Sequence, residues 1–473
     1  MRVLLTGASG YIGRRLLYRL LEDQKITEIK LLVRKPKLFE RPADKRVKVI
    51  EGSTFDEAAL ARATKGVDVA YYLIHSMAAS PRDYAKKDFE SAGYFLNACI
   101  KSKVKTLIYL GGLGLRESAS KHLLSRIETG EILSSAPDQI RTLWFRAGII
   151  IGSGSASFEI VKNLVRKLPI MITPRWVNTL TQTISIENVL DYLSAARNLA
   201  GKKNLVIDLG SEVISFKEMM LKTARLMGLK RILIPVPVLT PRLSSWWLIL
   251  FTPVPYRIAR QLVDGLKSET LQTNENAKKY FPKIRVKTFE ESVLAALHEI
   301  DKNITLSRWS DSGKSAATVV EMDPYSRSDI FRIRIEKEIS PSKKKEVFQK
   351  ILGIGGTSGW FNYHFFWRIR GLFDKLFGGY GLSRGRRDRA SLRIGDSLDF
   401  FKVVDLVPGK RLLLMSEMQL PGKGWMEFVL EKERLVETAY FVPRGVLGYF
   451  YWYLLWPFHK ITFIDIAKSL ARV

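Results

Sequence analysis

The sequence predicts an α/β chain in which a doubly wound parallel sheet comes first and a smaller α+β domain follows. Three observations carry this. Short apolar runs alternate with helical patterns over the first part of the chain, and three glycines stand at even spacing where the first run ends. Beyond residue 329 the pattern changes to one strand, one helix, several strands and a long closing helix.

In order, the apolar runs are VLL (3–5), IKLLV (29–33), VKVI (47–50), VDVAYYLI (67–74), KTLIYLGG (105–112) and RTLWFRAGIII (141–151). Each has the length of a strand and little internal polarity, which predicts strands buried on both faces of a parallel sheet. Helical patterns fill the gaps, over Gly13–Glu22, Glu57–Ala63, Tyr84–Ile100 and Lys121–Leu133. That alternation is the doubly wound order.

Composition bounds what such a chain can do. Over 473 residues, 46% hydrophobic and 26% charged, there is apolar surface for more than one core. The expected organisation is a first domain over 1–306, a linker over 307–329 where small and polar residues displace the apolar pattern, and a second domain over 330–473. Cys99 is the single cysteine, and the opening MRVLL is too short and too charged for a secretory segment. Both point to the cytoplasm. The formal charge of +29 is spread along the chain, with no zinc-finger or aromatic RNA-binding signature, which argues against nucleic acid as a partner. An anionic membrane surface fits the same charge, with the protein peripheral at the inner face. The densest basic cluster, SRGRRDR (383–389), reads as a solvated loop or a phosphate patch.

The stretch LLTGASGYIGRRL (4–16) puts Gly7, Gly10 and Gly13 where the first strand turns into the first helix. A side chain at Gly7 or Gly10 would hold the backbone away from a pyrophosphate, and Gly13 lets the helix pack closely on the sheet. The helix N-terminus then offers unpaired N–H groups and a positive dipole end to the phosphates. At the end of the second strand an acid would mark NAD, but the sequence there is LLVRKP. Arg34 and Lys35, together with Arg14 after the last glycine, suit a 2′-phosphate, so NADP(H) is favoured over NAD.

The spelling TGASGYIG resembles the short-chain dehydrogenase/reductase superfamily and its T-G-x-x-G-x-x-G loop. The resemblance covers about the first 300 residues, including ISIENVLDYL (184–193), which is similar to the substrate-side segment of extended and atypical, epimerase-like members. It implies a Rossmann domain whose loop residues Thr6, Gly7, Ser9, Gly10, Tyr11, Ile12, Gly13 and Arg14 hold the dinucleotide. The family's G-D-x-x-D after the third strand is GSTFD here, with Ser53 in the place of the first acid beside adenine and Asp56 retained. After the fourth strand, YYLIHSM (71–77) would pass the nicotinamide ribose, which implicates Ile74 and His75; a structural, hydrogen-bonded role fits His75 equally.

The family's Tyr-x-x-x-Lys pair is absent. In KHLLSRIETGEIL (121–133), His122 stands for the tyrosine and Arg126 for the lysine, while the upstream serine position falls on glycine in YLGGLG. This resembles the atypical subgroup. An imidazole can still donate a proton to a carbonyl near neutral pH, and Arg126 can hold ribose or phosphate but cannot act as the acid. A ribose-binding or structural role for His122 stands beside the catalytic one.

Residues 149–189 and 234–262 read as substrate-side segments. The run Leu243–Phe251 in the second is half the length of a membrane span and suits a greasy substrate cover or a membrane-facing edge. The strand and helix order after residue 329 is similar to the START-like (SRPBCC) helix-grip fold, which implies an apolar cavity between sheet and last helix. The segments 353–374 and GYFYWYLLWPFH (448–459) resemble a domain of unknown function fused behind NAD(P)-binding domains. For the aromatic stretch 449–458 two readings stand, core lining and insertion at a membrane interface; His364 reads as structural. The expected function is NADP(H)-dependent reduction or isomerisation of a hydrophobic small molecule. The alternatives are a dinucleotide-binding sensor or assembly protein without turnover, and a lipid-handling protein at a membrane surface.

Overall fold

Leu4 and Leu5 of β1 (Arg2–Thr6) are both fully buried although they point to opposite faces, the mark of a strand covered on two sides. The structure, a computed structural model, describes residues 1–75, 84–236, 252, 254, 256–265, 268–302, 305–309, 330–376, 379–388, 391–431 and 433–472. The chain divides into two units, residues 1–36, 41–252 and 256–312 in the first and 37–40, 253–255 and 313–473 in the second. Residues 310–329 of the expected linker, the run 243–251, Ser76, Met77 and Arg389 lie outside the described residues.

After β1 the first unit continues with α1 (Tyr11–Leu21), β2 (Glu28–Val33), β3 (Val47–Glu51), α2 (Glu57–Thr64), β4 (Val69–Tyr72), α3 (Tyr84–Lys101), β5 (Thr106–Gly112), α4 (Lys121–Leu133) and β6 (Arg141–Ala147). Then come β7 (Ile149–Ile151), α5 (Ala156–Lys167), β8 (Ile170–Pro174), β9 (Leu180–Ser185), α6 (Ile186–Ala196), β10 (Leu205–Leu209), β11 (Val213–Ser215), α7 (Phe216–Leu226) and β12 (Ile232–Val236). Helices α8 (Tyr256–Gly265), α9 (Asn276–Tyr280) and α10 (Phe289–Asp301) close the unit. Seven strands form one parallel sheet in the order β10-β6-β5-β4-β1-β2-β3. The strand order reverses between β1 and β4, and ligands of such sheets bind at the carboxyl ends there.

One expected element is two. The run 141–151 breaks into β6 in the main sheet and β7 in a small sheet of order β11-β9-β7. Gly148 is the reason: a Cβ there would stand 2.2 Å from the Gln182 carbonyl oxygen, so the chain bends where only glycine lets β9 approach.

The second unit holds β13 (Phe331–Glu338), α11 (Lys344–Leu352), α12 (His364–Leu376), β14 (Ser397–Leu398), β15 (Phe401–Val407), β16 (Arg411–Ser416), β17 (Gly422–Leu430), β18 (Arg434–Pro443) and α13 (Gly445–Ala471). Its six strands are antiparallel, in the order β13-β18-β17-β16-β15-β14. Aromatic rings fill the space where α13 meets the sheet: Trp452 stacks on Phe441 at 5.5 Å and on Phe331 at 5.3 Å.

The basic cluster 383–389 is neither a solvated loop nor a phosphate patch among its described residues. Arg384, Arg386 and Arg387 are buried. Arg384 pairs with Glu417 and donates to the Asp399 carbonyl, Arg386 donates to the Ile354 and Leu352 carbonyls, and Arg387 pairs with Asp396. Their guanidinium forks tie loops together, which a lysine could not do. His364 Nδ1 accepts from the Trp360 N–H at 3.3 Å, a contact that suits the structural role expected of it.

Glu437 of β18 shares the core face with Leu435, Ala439 and Phe441, and neither carboxyl oxygen has a hydrogen-bond partner among the described residues. Burial first, and the nearby Asp465 second, push its pKa well above the usual carboxylate range. A folded-state pKa above the unfolded value of about 4.3 makes its contribution to stability greatest in acid and loses it as pH rises through the folded value. Glu437→Gln removes that loss. The variant's stability advantage is expected to be small at about pH 4 and to grow by up to about 1.4 kcal/mol per pH unit above it. Denaturant titrations at a series of pH values check this; a pH-independent difference would contradict it.

Candidate dinucleotide and catalytic site

The glycine loop after β1 is built for close backbone approach. Gly7 has φ +73°, a conformation side chains rarely adopt, and a Cβ there would meet the Leu73 carbonyl oxygen at 2.5 Å. At Gly13 a Cβ would stand 2.1 Å from the Gly7 carbonyl oxygen. The Gly10 N–H donates to the Gly7 carbonyl at 2.9 Å, and Gly10 caps α1 with no side chain. The N-terminal amides of α1 and its dipole therefore remain for an anion. These residues fit a dinucleotide pyrophosphate.

The other expected loop residues divide by role. The Thr6 hydroxyl donates to the Tyr71 carbonyl at 2.9 Å and accepts from the Leu73 N–H at 3.3 Å, so its side chain pins the loop to β4. The Tyr11 hydroxyl is buried, with its pKa pushed up by burial, and the Arg15 guanidinium lies 5.2 Å from its ring; that side chain packs. Ser9 and Ile12 are half-buried in the loop and first turn. Beyond β2, Arg34 is exposed and Lys35 half-buried, whereas Arg14 is only 8% exposed. Ser53 forms a turn, its Oγ accepting from the Phe55 N–H at 3.2 Å. Asp56 is taken as the cap of α2, accepting from the Ala59 N–H at 2.9 Å.

Past the end of β4, Ile74 is half-buried and His75 turns toward α3 and α4. His75 Nδ1 lies 3.4 Å from the carboxylate of Asp88, which is 4% exposed, and the rings of His75 and His122 stand 4.6 Å apart. His122 sits in the first turn of α4, which Ser120 caps by accepting from the Leu123 N–H. Arg126, one turn on, donates to the Leu110 carbonyl at 2.8 Å, and its Nε has no partner among the described residues. Two positions far apart in sequence thus meet in one half-buried cluster over the buried Asp88.

Its electrostatics disfavour positive charge on His122. Burial first, then the charges of His75 and Arg126, hold its pKa well below the ordinary value, so the ring is neutral at pH 7. Burial also lowers His75, against the opposing hydrogen bond to Asp88. His122 Nδ1 and His75 Nε2 have no hydrogen-bond partners among the described residues.

The missing serine has a packing cause. A Cβ at Gly111 would meet Trp144 Nε1 at 2.7 Å, and one at Gly112 would meet Leu123 Cδ1 at 2.8 Å. Nor does Tyr109 replace the missing tyrosine. Its hydroxyl donates to the Arg126 carbonyl at 2.9 Å, and burial pushes its pKa up to about 12. Asp88 is the residue that sequence reasoning missed. Its signal was a carboxylate on the helical face that also carries Ser91, Ala92, Phe95 and Cys99, all of them buried.

Comparison with known proteins bears on each unit separately. Residues 7–137 match the family model described as NAD(P)H-binding, and residues 325–465 match the one described as Protein of unknown function (DUF2867). The triphenylmethane reductase of Citrobacter sp. is 18% identical, with a TM-score of 0.52, over 63% of this chain and 100% of that one. MoeE5, solved with UDP-glucose and NAD, is 14% identical with a TM-score of 0.50, over 64% and 100%. At these identities the likeness is one of fold. Residues 7–137 are thus similar to NAD(P)H-binding domains, the first unit shares a Rossmann-like parallel-sheet fold with these solved structures, and a separate antiparallel-sheet domain whose residues 325–465 match the family of unknown function follows it.

Proposed function

We propose that the protein is an NADP(H)-dependent oxidoreductase acting on a hydrophobic small molecule, with His122 handling the substrate proton. The observation that carries this is the half-buried His75–His122 pair, with Asp88 and Arg126 around it, in a domain similar to NAD(P)H-binding ones that lacks the tyrosine–lysine pair. When bound, the nicotinamide supplies or accepts the hydride. The amides at the start of α1 hold the pyrophosphate, and Arg34 and Lys35 hold the 2′-phosphate. Asp88 fixes the His75 ring, and desolvation first, then the charges of His75 and Arg126, keeps His122 neutral. In the oxidising direction the neutral ring takes the hydroxyl proton as hydride leaves the carbon. In the reducing direction a protonated His122 gives that proton to the oxygen as the carbonyl π bond opens, and solvent restores it.

Dinucleotide binding without turnover is the second reading. The filling of the serine position by Trp144 and Leu123 favours it. For the second unit we propose a START-like helix-grip fold, on the strength of an antiparallel sheet packed by a long closing helix.

Calorimetric titration with NADPH and NADH tests the cofactor reading. NADPH is expected to bind more tightly, and Arg34→Asp to narrow the gap by roughly tenfold, because a carboxylate repels the 2′-phosphate that a guanidinium attracts. Equal wild-type affinities would overturn the preference. Oxidation of NADPH, followed by absorbance with apolar aldehydes, ketones and any ligand retained through purification, tests turnover.

A further inference from the structure

We propose that α12 and the first half of α13 form a docking face for an anionic lipid bilayer, lying in its interface without crossing it. The arrangement of α12 is inverted. Trp367, Gly371 and Asp374 face inward at helical spacing, while Phe365, Ile369, Leu372 and Leu376, also at helical spacing, are exposed. From Gly445 to Phe458, α13 buries Gly448 and Trp452 and exposes large apolar side chains around them, Phe450 at 63% and Tyr453 at 65%. The core-lining reading of residues 449–458 therefore holds for Trp452 and fails for most of the stretch. Contact of the exposed Phe366 and Phe458 rings, 5.9 Å apart, makes the two helix faces one surface. Exposed apolar area of this extent on a protein surface marks an interaction site.

Charge selects the occupant. Over residues 361–376 and 444–464 the only acid is Asp374, which is fully buried and accepts from the Gly381 and Gln419 N–H groups. The exposed charges on these segments are cations, Arg368, Arg444 and Lys460. Lys460 Nζ lies 5.0 Å from the Trp456 ring centroid, a pairing suited to the level of lipid headgroups. Two copies of the face would set cation against cation, whereas an anionic bilayer meets both the charge and the apolar rings. Among the described residues no helix is long and apolar enough to cross a membrane. Beyond residue 461, α13 turns Phe463, Ile466 and Leu470 into the protein core, so insertion stops at the interface.

The test is flotation of the full-length protein with phosphatidylcholine vesicles, with and without about one third phosphatidylglycerol. Wild type is expected to float with the anionic vesicles, less so in high salt. Phe450→Asp with Leu454→Asp should weaken this at least tenfold, because carboxylates then face the apolar and anionic surface. Both positions are exposed, so near-UV circular dichroism should stay unchanged. Arg444→Ser with Lys460→Ser should lower binding to anionic vesicles and leave binding to neutral ones as it was. No flotation of wild type, or undiminished flotation of the aspartate variant, would overturn the proposal. So would a wild-type dimer that the aspartate variant turns into monomer, since that gives the face to a second copy.

Discussion

His122→Phe is expected to lower turnover by roughly two to four orders of magnitude while leaving dinucleotide affinity nearly unchanged. Phenylalanine keeps the ring contact with His75 and removes the group that takes or gives the proton. Among the described residues Nδ1 has no hydrogen-bond partner for the substitution to remove. The pH profile separates this role from a structural one. Because burial, His75 and Arg126 hold the His122 pKa well below its ordinary value of about 6.5, the reducing direction should speed up as pH falls toward that lowered value and level off beneath it. The oxidising direction should slow only once pH falls to that lowered value, since it needs the neutral ring. In the variant both dependences should vanish. Stability has its own sign: the charged form is disfavoured in the fold, so the site is most stable above about pH 6.5 and loses stability as pH falls through the folded value. A wild type that leaves NADPH untouched with every carbonyl offered, with His122→Phe altering only stability, would hand the lead to binding without turnover.

Gly13→Ala is expected to weaken dinucleotide binding by roughly two orders of magnitude or more. The added methyl would stand 2.1 Å from the Gly7 carbonyl oxygen and 2.7 Å from its carbon, both backbone atoms of the phosphate loop. A flexible side chain could swing away; this carbonyl can move only if the loop or α1 shifts. Either shift takes the helix N-terminus from the pyrophosphate, so the loss should be similar for NADPH and NADH. Calorimetry with both cofactors checks it, beside thermal unfolding to confirm a folded variant. Wild-type affinity in a folded Gly13→Ala protein would mean that the phosphates bind elsewhere.

Much of the first unit was legible because its signals are local. A strand buried on two faces must be apolar throughout, and a helix end that meets a pyrophosphate must be free of side chains; both conditions are written in consecutive residues. The break at Gly148 was not legible, because what demands it is the Gln182 carbonyl, more than thirty residues away. Asp88 escaped notice for a related reason. Its helical face was readable, but its partner His75 comes from the end of a different element.

Charge and hydropathy misled where burial was decided by distant neighbours. Three arginines of the cluster 383–389 look solvated in sequence, yet carbonyls and carboxylates of several loops receive their donors. Of the two readings of the aromatic stretch 449–458, core lining and interfacial insertion, the first does not fit most of its side chains, which face outward.

By itself, then, the sequence determined the doubly wound sheet, the glycine loop and its place at the end of β1, and the absence of the tyrosine–lysine pair. These follow from periodicity and residue type over short spans, where the chain's own geometry sets which side chains share a face. Tertiary structure alone decided that His75 and His122 meet, that Asp88 stands behind them, that His122 is neutral, and which apolar residues remain outside. Each of these depends on how elements far apart in the chain pack. Desolvation and the Coulomb field of neighbours act through space, and no order of residues along the chain states them.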